Sequence, residues 1–148
     1  MSKNNLLNLG LFLLVLLLGT VIYLSDEEST ELEKLTDLDI SKINSVYIRH
    51  NENSTRIARQ HEAQWQITQP INIAANNFRI NSLLKLLNAP VHQQYAITEI
   101  DAKTAGLEEP QTSIQFNDFI IEFGIINPAT NLRYVKLNNT VYTIQDVY

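Results

Sequence analysis

The sequence predicts an α+β protein, with an N-terminal transmembrane helix followed by a mostly antiparallel β-sheet domain and one main helix packed on it. Residues 6–24 form an apolar run without a charged side chain. Short segments of alternating apolar and polar residues lie on both sides of residues 76–87, where apolar residues recur at helical spacing. Strands that flank a helix in this segregated order are typical of α+β domains.

The apolar run between Leu6 and Leu24 predicts a membrane anchor. At about 1.5 Å per residue it makes a helix of about 28 Å, which is close to the hydrocarbon thickness of a bilayer. The alternative is a cleaved secretory signal, which needs a shorter apolar core and small residues before the cleavage point. Residues 21–24 are Val, Ile, Tyr and Leu, and none of them is small. We therefore favour a retained signal anchor.

The charges around the run predict its orientation. Lys3 is the only charged side chain before it, whereas Asp26, Glu27 and Glu28 follow it. Positive residues mark the cytoplasmic side of a membrane helix. The expected localisation is the bacterial inner membrane, single-pass, with a cytoplasmic N-terminus and a periplasmic or otherwise extracytoplasmic domain. Membrane lipid is then one expected partner.

Three regions are expected along the chain. Residues 1–24 contain the tail and anchor, residues 25–37 form an acidic juxtamembrane stalk, and residues 38–148 form the extracytoplasmic α+β domain. Ser25 and Glu28 match a capping box, so a short helix is the alternative to a solvated stalk.

Composition excludes several classes of function. The formal net charge is −5, and the 11 Lys and Arg residues are scattered. Proteins that bind nucleic acid cluster such residues to contact phosphates, so no nucleic-acid partner is expected. The chain contains no cysteine, which excludes disulfides, a thiol nucleophile and a lipid-modified cysteine.

The first half of the domain predicts a three-stranded meander and then the main helix. Alternation indicates strands at residues 44–50, 55–61 and 64–68. Pro70 ends the third strand because it has no N–H to donate. The helix over residues 76–87 carries a broad apolar stripe that begins at Phe78. Because such a stripe is buried in a folded domain, we expect it to pack on a sheet.

The second half predicts two hairpins. Residues 91–100 are ambiguous between strand and loop, and Gly106 ends a single helical turn. Asn117-Asp118 and Asn138-Asn139 are two-residue turns of a kind that accepts positive φ. The strands that flank these turns are predicted at residues 113–116, 119–123, 132–137 and 140–144.

No group of side chains predicts chemistry. His50 and His61 would lie at opposite ends of the first hairpin, too far apart to share a metal ion, and His92 lies outside it. Glu108 and Glu109 are adjacent in a turn, where neighbouring side chains diverge. We expect no catalytic residue, metal ion or cofactor.

Aromatic residues supply the candidate interaction surface. Trp65, Tyr134 and Tyr142 are candidates because aromatic side chains are favoured at interfaces. Burial in the core for Trp65, and packing between strands for the tyrosines, are the commoner reasons for such residues and are the interpretations we favour.

Several landmarks resemble the bacterial domain of unknown function 4340. They are the segment 38–43 before the first strand, Trp65-Gln66-Ile67 followed by Pro70, the leucine-rich helix, the Gly106–Pro110 turn, Phe123-Gly124, the segment 134–137 and the closing Val141-Tyr142. The resemblance covers roughly residues 35–146. It implies a membrane-anchored extracytoplasmic domain without known catalytic residues. Some members are encoded with ABC-transporter components of the gliding-motility type.

These observations predict a non-enzymatic, membrane-anchored accessory or scaffolding subunit that contacts membrane or envelope proteins and is connected with a transporter. One short copy of the domain weakens the transporter connection, because longer relatives repeat it. The alternative is an extracytoplasmic module that binds a small molecule or glycan, and an enzyme ranks third.

Overall fold

The protein divides into two compact units, residues 1–31 and residues 32–148. The structure is a computed structural model that describes residues 3–24, 32–60 and 64–147. For residues 3, 4, 6 and 22–24 it describes the backbone alone.

The first unit contains helix α1 (Lys3–Leu24). Among the residues that the structure describes, no helix has both the length and the apolar character needed to cross a membrane. The transmembrane anchor predicted between Leu6 and Leu24 is therefore wrong.

The stalk predicted over residues 25–37 lies largely outside the described residues, since residues 25–31 are not among them. The same is true of the capping pair Ser25 and Glu28. Within the remainder, Leu35 is buried in the core of the second unit. Its backbone N–H donates to the Ala89 carbonyl at 2.9 Å, so this end of the segment belongs to the sheet domain.

The second unit is a nine-stranded antiparallel sheet with the spatial order β4-β3-β2-β1-β6-β7-β8-β9-β5. One α-helix, α2 (Asn77–Leu84), continues into a 3-10 turn (Lys85–Asn88). The strands are β1 (Ser45–His50), β2 (Asn53–Arg59), β3 (Trp65–Gln69), β4 (Ile73–Ala74), β5 (Val91–Ala96), β6 (Thr112–Phe116), β7 (Phe119–Ile126), β8 (Leu132–Leu137) and β9 (Thr140–Gln145).

The predicted α+β class is therefore wrong, because sheet dominates the described residues, which contain only two α-helices. Residues 73–74, where no strand was predicted, and residues 91–96, which were ambiguous, both join the sheet. The helix predicted over residues 76–87 is α-helical only to Leu84. Pairing with distant strands determines the secondary structure of these segments, since their local sequence patterns favour no single structure.

One face of the sheet packs against α2 and the following 3-10 turn. Register places Val46 opposite both Ile57 and Phe116, and these three side chains share that face. Phe78 does not join them, although the sequence placed it in the apolar stripe, because it lies about 200° around α2 from the core-facing Ile80. The buried residues of this core are Leu35, Ile43, Val46, Ile57, Trp65, Ile80, Leu84, Leu86, Leu87, Ala89, Val91, Ile114, Phe116, Ile121, Val135 and Ile144.

The opposite face is partly covered by the segment between β5 and β6. Ala105 and Leu107 from that segment form a small buried cluster with Val141 of β9. Gly124 makes this close approach possible, because a Cβ there would lie 2.2 Å from the Ala105 carbonyl oxygen. The segment is thus attached to β7, and it borders one end of the sheet.

The hairpin turns are confirmed. Asn117 and Asn138 have φ of 49° and 56°, and they join β6 to β7 and β8 to β9. The Asn117 side chain also accepts hydrogen bonds from the backbone N–H groups of Asn44 and Ser45, at 3.0 and 3.1 Å. One asparagine therefore forms its own turn and fixes the start of β1.

Candidate functional site

A groove lies at one end of the sheet, where β1 ends, β6 begins, β7 ends and β8 begins. Two adjoining cavities of about 220 and 400 Å³ form it, and they share Thr112, Phe123 and Arg133. We call it the sheet-end groove. Leu83, Leu86, Ile114, Ile144, Gln145 and Asp146 line the smaller cavity; His50, Gly106, Glu109, Gln111, Gly124 and Ile125 line the larger one.

The smaller cavity lies between the helical segment and the sheet and has an apolar floor. Leu83 of α2 and Leu86 of the 3-10 turn face Ile114, Phe123 and Ile144 of the sheet. The three sheet residues share one face because strand register pairs neighbouring strands in phase. An apolar group that enters this cavity is therefore removed from contact with water on several sides.

Arg133 forms the polar wall that both cavities share. Its Nη1 donates to the Gly124 carbonyl at 2.8 Å, and its Nε and Nη2 donate to the Asp146 carboxylate, the latter at 3.1 Å. The hydrogen bond from Arg133 holds the pKa of Asp146 below its ordinary value of 3.8, although partial burial opposes this. Three of the five N–H groups of this guanidinium are used, and its charge is compensated.

The larger cavity is lined by a mixture of polar, charged and apolar residues. The His50 ring Nδ1 lies 2.7 Å from the Thr112 hydroxyl, and its Nε2 lies 3.3 Å from the Asn51 amide nitrogen. These two contacts fix the orientation of the His50 ring. Glu109 and Gln111 complete the rim. This arrangement offers hydrogen-bond donors and acceptors to a bound group.

The predicted interaction residues do not form one surface. Trp65 is 3% exposed and lies in the core, with the Arg59 guanidinium 4.9 Å from its ring centroid. Tyr142 packs against that same core. Tyr134 lies on the other face of the sheet, where its hydroxyl accepts from Asn127 at 2.8 Å. The buried position agrees with the core interpretation of Trp65.

Of the histidines and glutamates considered from the sequence, His50 and Glu109 line the groove, whereas His92 and Glu108 do not. The side chains of Leu6 and Leu24, and all of His61, lie outside the described residues. Over the described ranges 3–24, 32–60 and 64–147, no three His, Cys, Asp or Glu side chains converge as metal ligands would.

Sequence reasoning missed the sheet-end groove, although one signal pointed to part of it. The Asn138-Asn139 turn fixes the register of β8 and β9, which pairs Arg133 with Ile144 and brings Asp146 within reach. The contributions of α2 and of the segment before β6 had no such local signal.

A family model described as domain of unknown function (DUF4340) matches residues 65–148. That segment is more than half of the 148 residues. The chain belongs to the DUF4340 family. No curated protein matches the chain. No solved structure matches it either.

The DUF4340 segment supplies nearly all of the groove. Every residue of the smaller cavity lies within it, and His50 is the one lining residue of the larger cavity that does not. The resemblance to this family is confirmed, whereas its transporter association stays a prediction.

Proposed function

We propose that this DUF4340 protein is a non-enzymatic accessory or scaffolding protein that binds a partner protein through the sheet-end groove. The observation that carries the proposal is an apolar cavity with a polar rim whose charges are already compensated. Interface anchors are typically apolar side chains that enter such pockets and are surrounded by a polar rim.

The size of the smaller cavity supports a side chain as its occupant. Its volume of about 220 Å³ is below the roughly 300–1,000 Å³ of pockets that hold drug-sized ligands. An inserted Leu or Phe side chain would contribute about 1.5–3 kcal/mol by leaving water. That is the scale of a single interface hot spot, so contacts around the rim must add to it.

The charges at the rim support binding rather than catalysis. Asp146 is hydrogen-bonded to Arg133, which keeps the carboxylate ionised and unsuited to act as a base near neutral pH. The partner class that the family resemblance implies is an envelope protein, with transporter components among the candidates. The extracytoplasmic location of the domain is part of this proposal.

A second candidate function is binding of a small molecule or glycan. The observation that favours it is the larger cavity, whose volume of about 400 Å³ falls within the range of ligand pockets. The His50, Thr112 and Gln111 side chains lie there and offer both donors and acceptors.

Site-specific photocrosslinking in the native cell distinguishes the two functions. A benzoylphenylalanine in place of Gln145, on the groove rim, should give one discrete crosslinked protein. The control position is Asn139, which is exposed at the opposite end of the strands. Equal crosslinks at both positions, or none at Gln145, would count against a partner in the groove. Native mass spectrometry that finds a stoichiometric small-molecule adduct instead would favour the second function.

A further inference from the structure

A second surface lies at the β4 edge of the sheet. Ile71, Ile73 and Phe78 are 58%, 48% and 79% exposed and lie within eight residues of one another in the sequence. We call these three residues the edge patch. Large apolar side chains that are exposed together commonly mark an interaction site. The edge patch shares no residue with the sheet-end groove, so it is independent of the proposal above.

Within the described part of the chain, the backbone beside the edge patch directs some hydrogen-bonding groups away from the sheet. Among the described residues, β4 is an edge strand that pairs with β3 only. The Ala75 N–H donates to the Trp65 carbonyl at 2.8 Å, so Ile73 and Ala75 direct their polar groups towards β3. In an antiparallel ladder the alternate residues, Asn72 and Ala74, then direct theirs outward. An extended chain can pair with these outward groups.

The charge around the edge patch indicates the chemistry of such a chain. The protein has 16 Asp and Glu residues, but none lies between residues 64 and 98. The charged side chains of that stretch are Arg79 and Lys85, and both are exposed. The edge patch therefore belongs to a stretch of the chain whose charged side chains are both basic, which complements an acidic partner.

We propose that the edge patch binds an extended segment of a partner protein that carries apolar and acidic side chains and adds a strand to β4. The apolar side chains cover Ile71, Ile73 and Phe78, and an acidic side chain pairs with Arg79. A second copy of this chain fits less well, because it would bring a stretch with the same basic side chains to the edge and no acidic side chain from residues 64–98.

Fluorescence anisotropy with two labelled peptides tests this proposal on the full chain. One eight-residue peptide alternates valine with glutamate and threonine, and the other has lysine in place of each glutamate. We expect the acidic peptide to bind at least fivefold more tightly than the basic one. Phe78→Ser should weaken its binding at least fivefold without unfolding, since this side chain is 79% exposed.

A charge exchange gives the sharpest result. Arg79→Glu should reverse the preference between the two peptides, whereas Lys103→Glu, which makes the same charge change at an exposed position in another segment, should leave it unchanged. Absence of binding, equal binding of both peptides, or an unchanged preference in Arg79→Glu would overturn the proposal. A different outcome is that the wild-type protein self-associates and that Phe78→Ser abolishes this self-association. This result would show that a second copy of the chain occupies the edge patch, and it would also overturn the proposal.

Discussion

Gly124→Ala tests the attachment of the segment between β5 and β6 to the sheet. A Cβ at residue 124 would lie 2.2 Å from the Ala105 carbonyl oxygen and 3.1 and 3.2 Å from side-chain atoms of Leu107. The nearest atom belongs to the backbone, so the whole segment must move away from β7. That movement also disturbs the 2.9 Å hydrogen bond from the Ile125 N–H to the Ala105 carbonyl.

The expected cost of this substitution follows from two contributions. Overpacking costs about 1–3 kcal/mol. Loss of one hydrogen bond adds about 0.5–1.5 kcal/mol. We therefore expect Gly124→Ala to lower the free energy of unfolding by about 2–4 kcal/mol, out of the roughly 5–15 kcal/mol of a typical domain.

Urea denaturation measures this effect. With a slope of about 1–3 kcal/mol per molar, a loss of 2 kcal/mol moves the midpoint by roughly 1 M. The matched control is Gly10→Ala in α1, where an added Cβ meets nothing within 4 Å and should change the unfolding of the sheet domain by less than about 0.5 kcal/mol. A Gly124→Ala midpoint equal to that of the control would refute the close contact between Gly124 and Ala105.

Three further predictions concern other parts of the structure. The lowered pKa of Asp146 in the folded state contributes stability above pH 3.8, and this stability is lost as the pH falls below that value. The urea midpoint of Asp146→Asn should therefore decline less steeply towards acid pH than the midpoint of the wild type. An identical decline in the two proteins would contradict the pairing of Asp146 with Arg133. Asn138 has a φ of 56°, so Asn138→Ala should lower the free energy of unfolding by about 1–2 kcal/mol, measured by thermal denaturation. Asn138→Gly should be more stable than Asn138→Ala, because glycine accepts positive φ. Equal melting temperatures of the two variants would count against a strained turn. Leu84→Ala should lower the free energy of unfolding by about 2–5 kcal/mol in chemical denaturation, because Leu84 is buried. Phe78→Ala is the control and should change this free energy by less than about 0.5 kcal/mol, because Phe78 is exposed. Similar losses in the two variants would place Phe78 in the core.

Local signals in the sequence predicted the hairpins correctly. The Asn117 and Asn138 turns adopt positive φ, and the strands on either side of them pair as expected. Short-range pairing of this kind depends on turn chemistry and alternation, and both are visible in the sequence.

Segments that depend on distant partners could not be predicted in this way. Residues 91–96 become β5 because they pair with β9, about fifty residues later in the chain. Phe78 continued the apolar stripe in the sequence, yet it faces solvent because α2 is short and the sheet contacts only one side of it. The sheet-end groove was missed for a related reason, since Leu83, Thr112 and Arg133 come together only when the whole sheet has formed.

The central claim is that a partner protein inserts an apolar side chain into the sheet-end groove. The most direct test uses the partner protein that photocrosslinking identifies. Its dissociation constant is measured for the wild type and for variants in which a larger side chain fills the groove. Leu83→Trp, and separately Thr112→Phe, place extra volume in the smaller cavity, and Asn139→Trp adds a large side chain at the far end of the sheet as the control. We predict that both groove variants bind at least tenfold more weakly while the control is unchanged. Folded groove variants that bind as tightly as the wild type would contradict the claim.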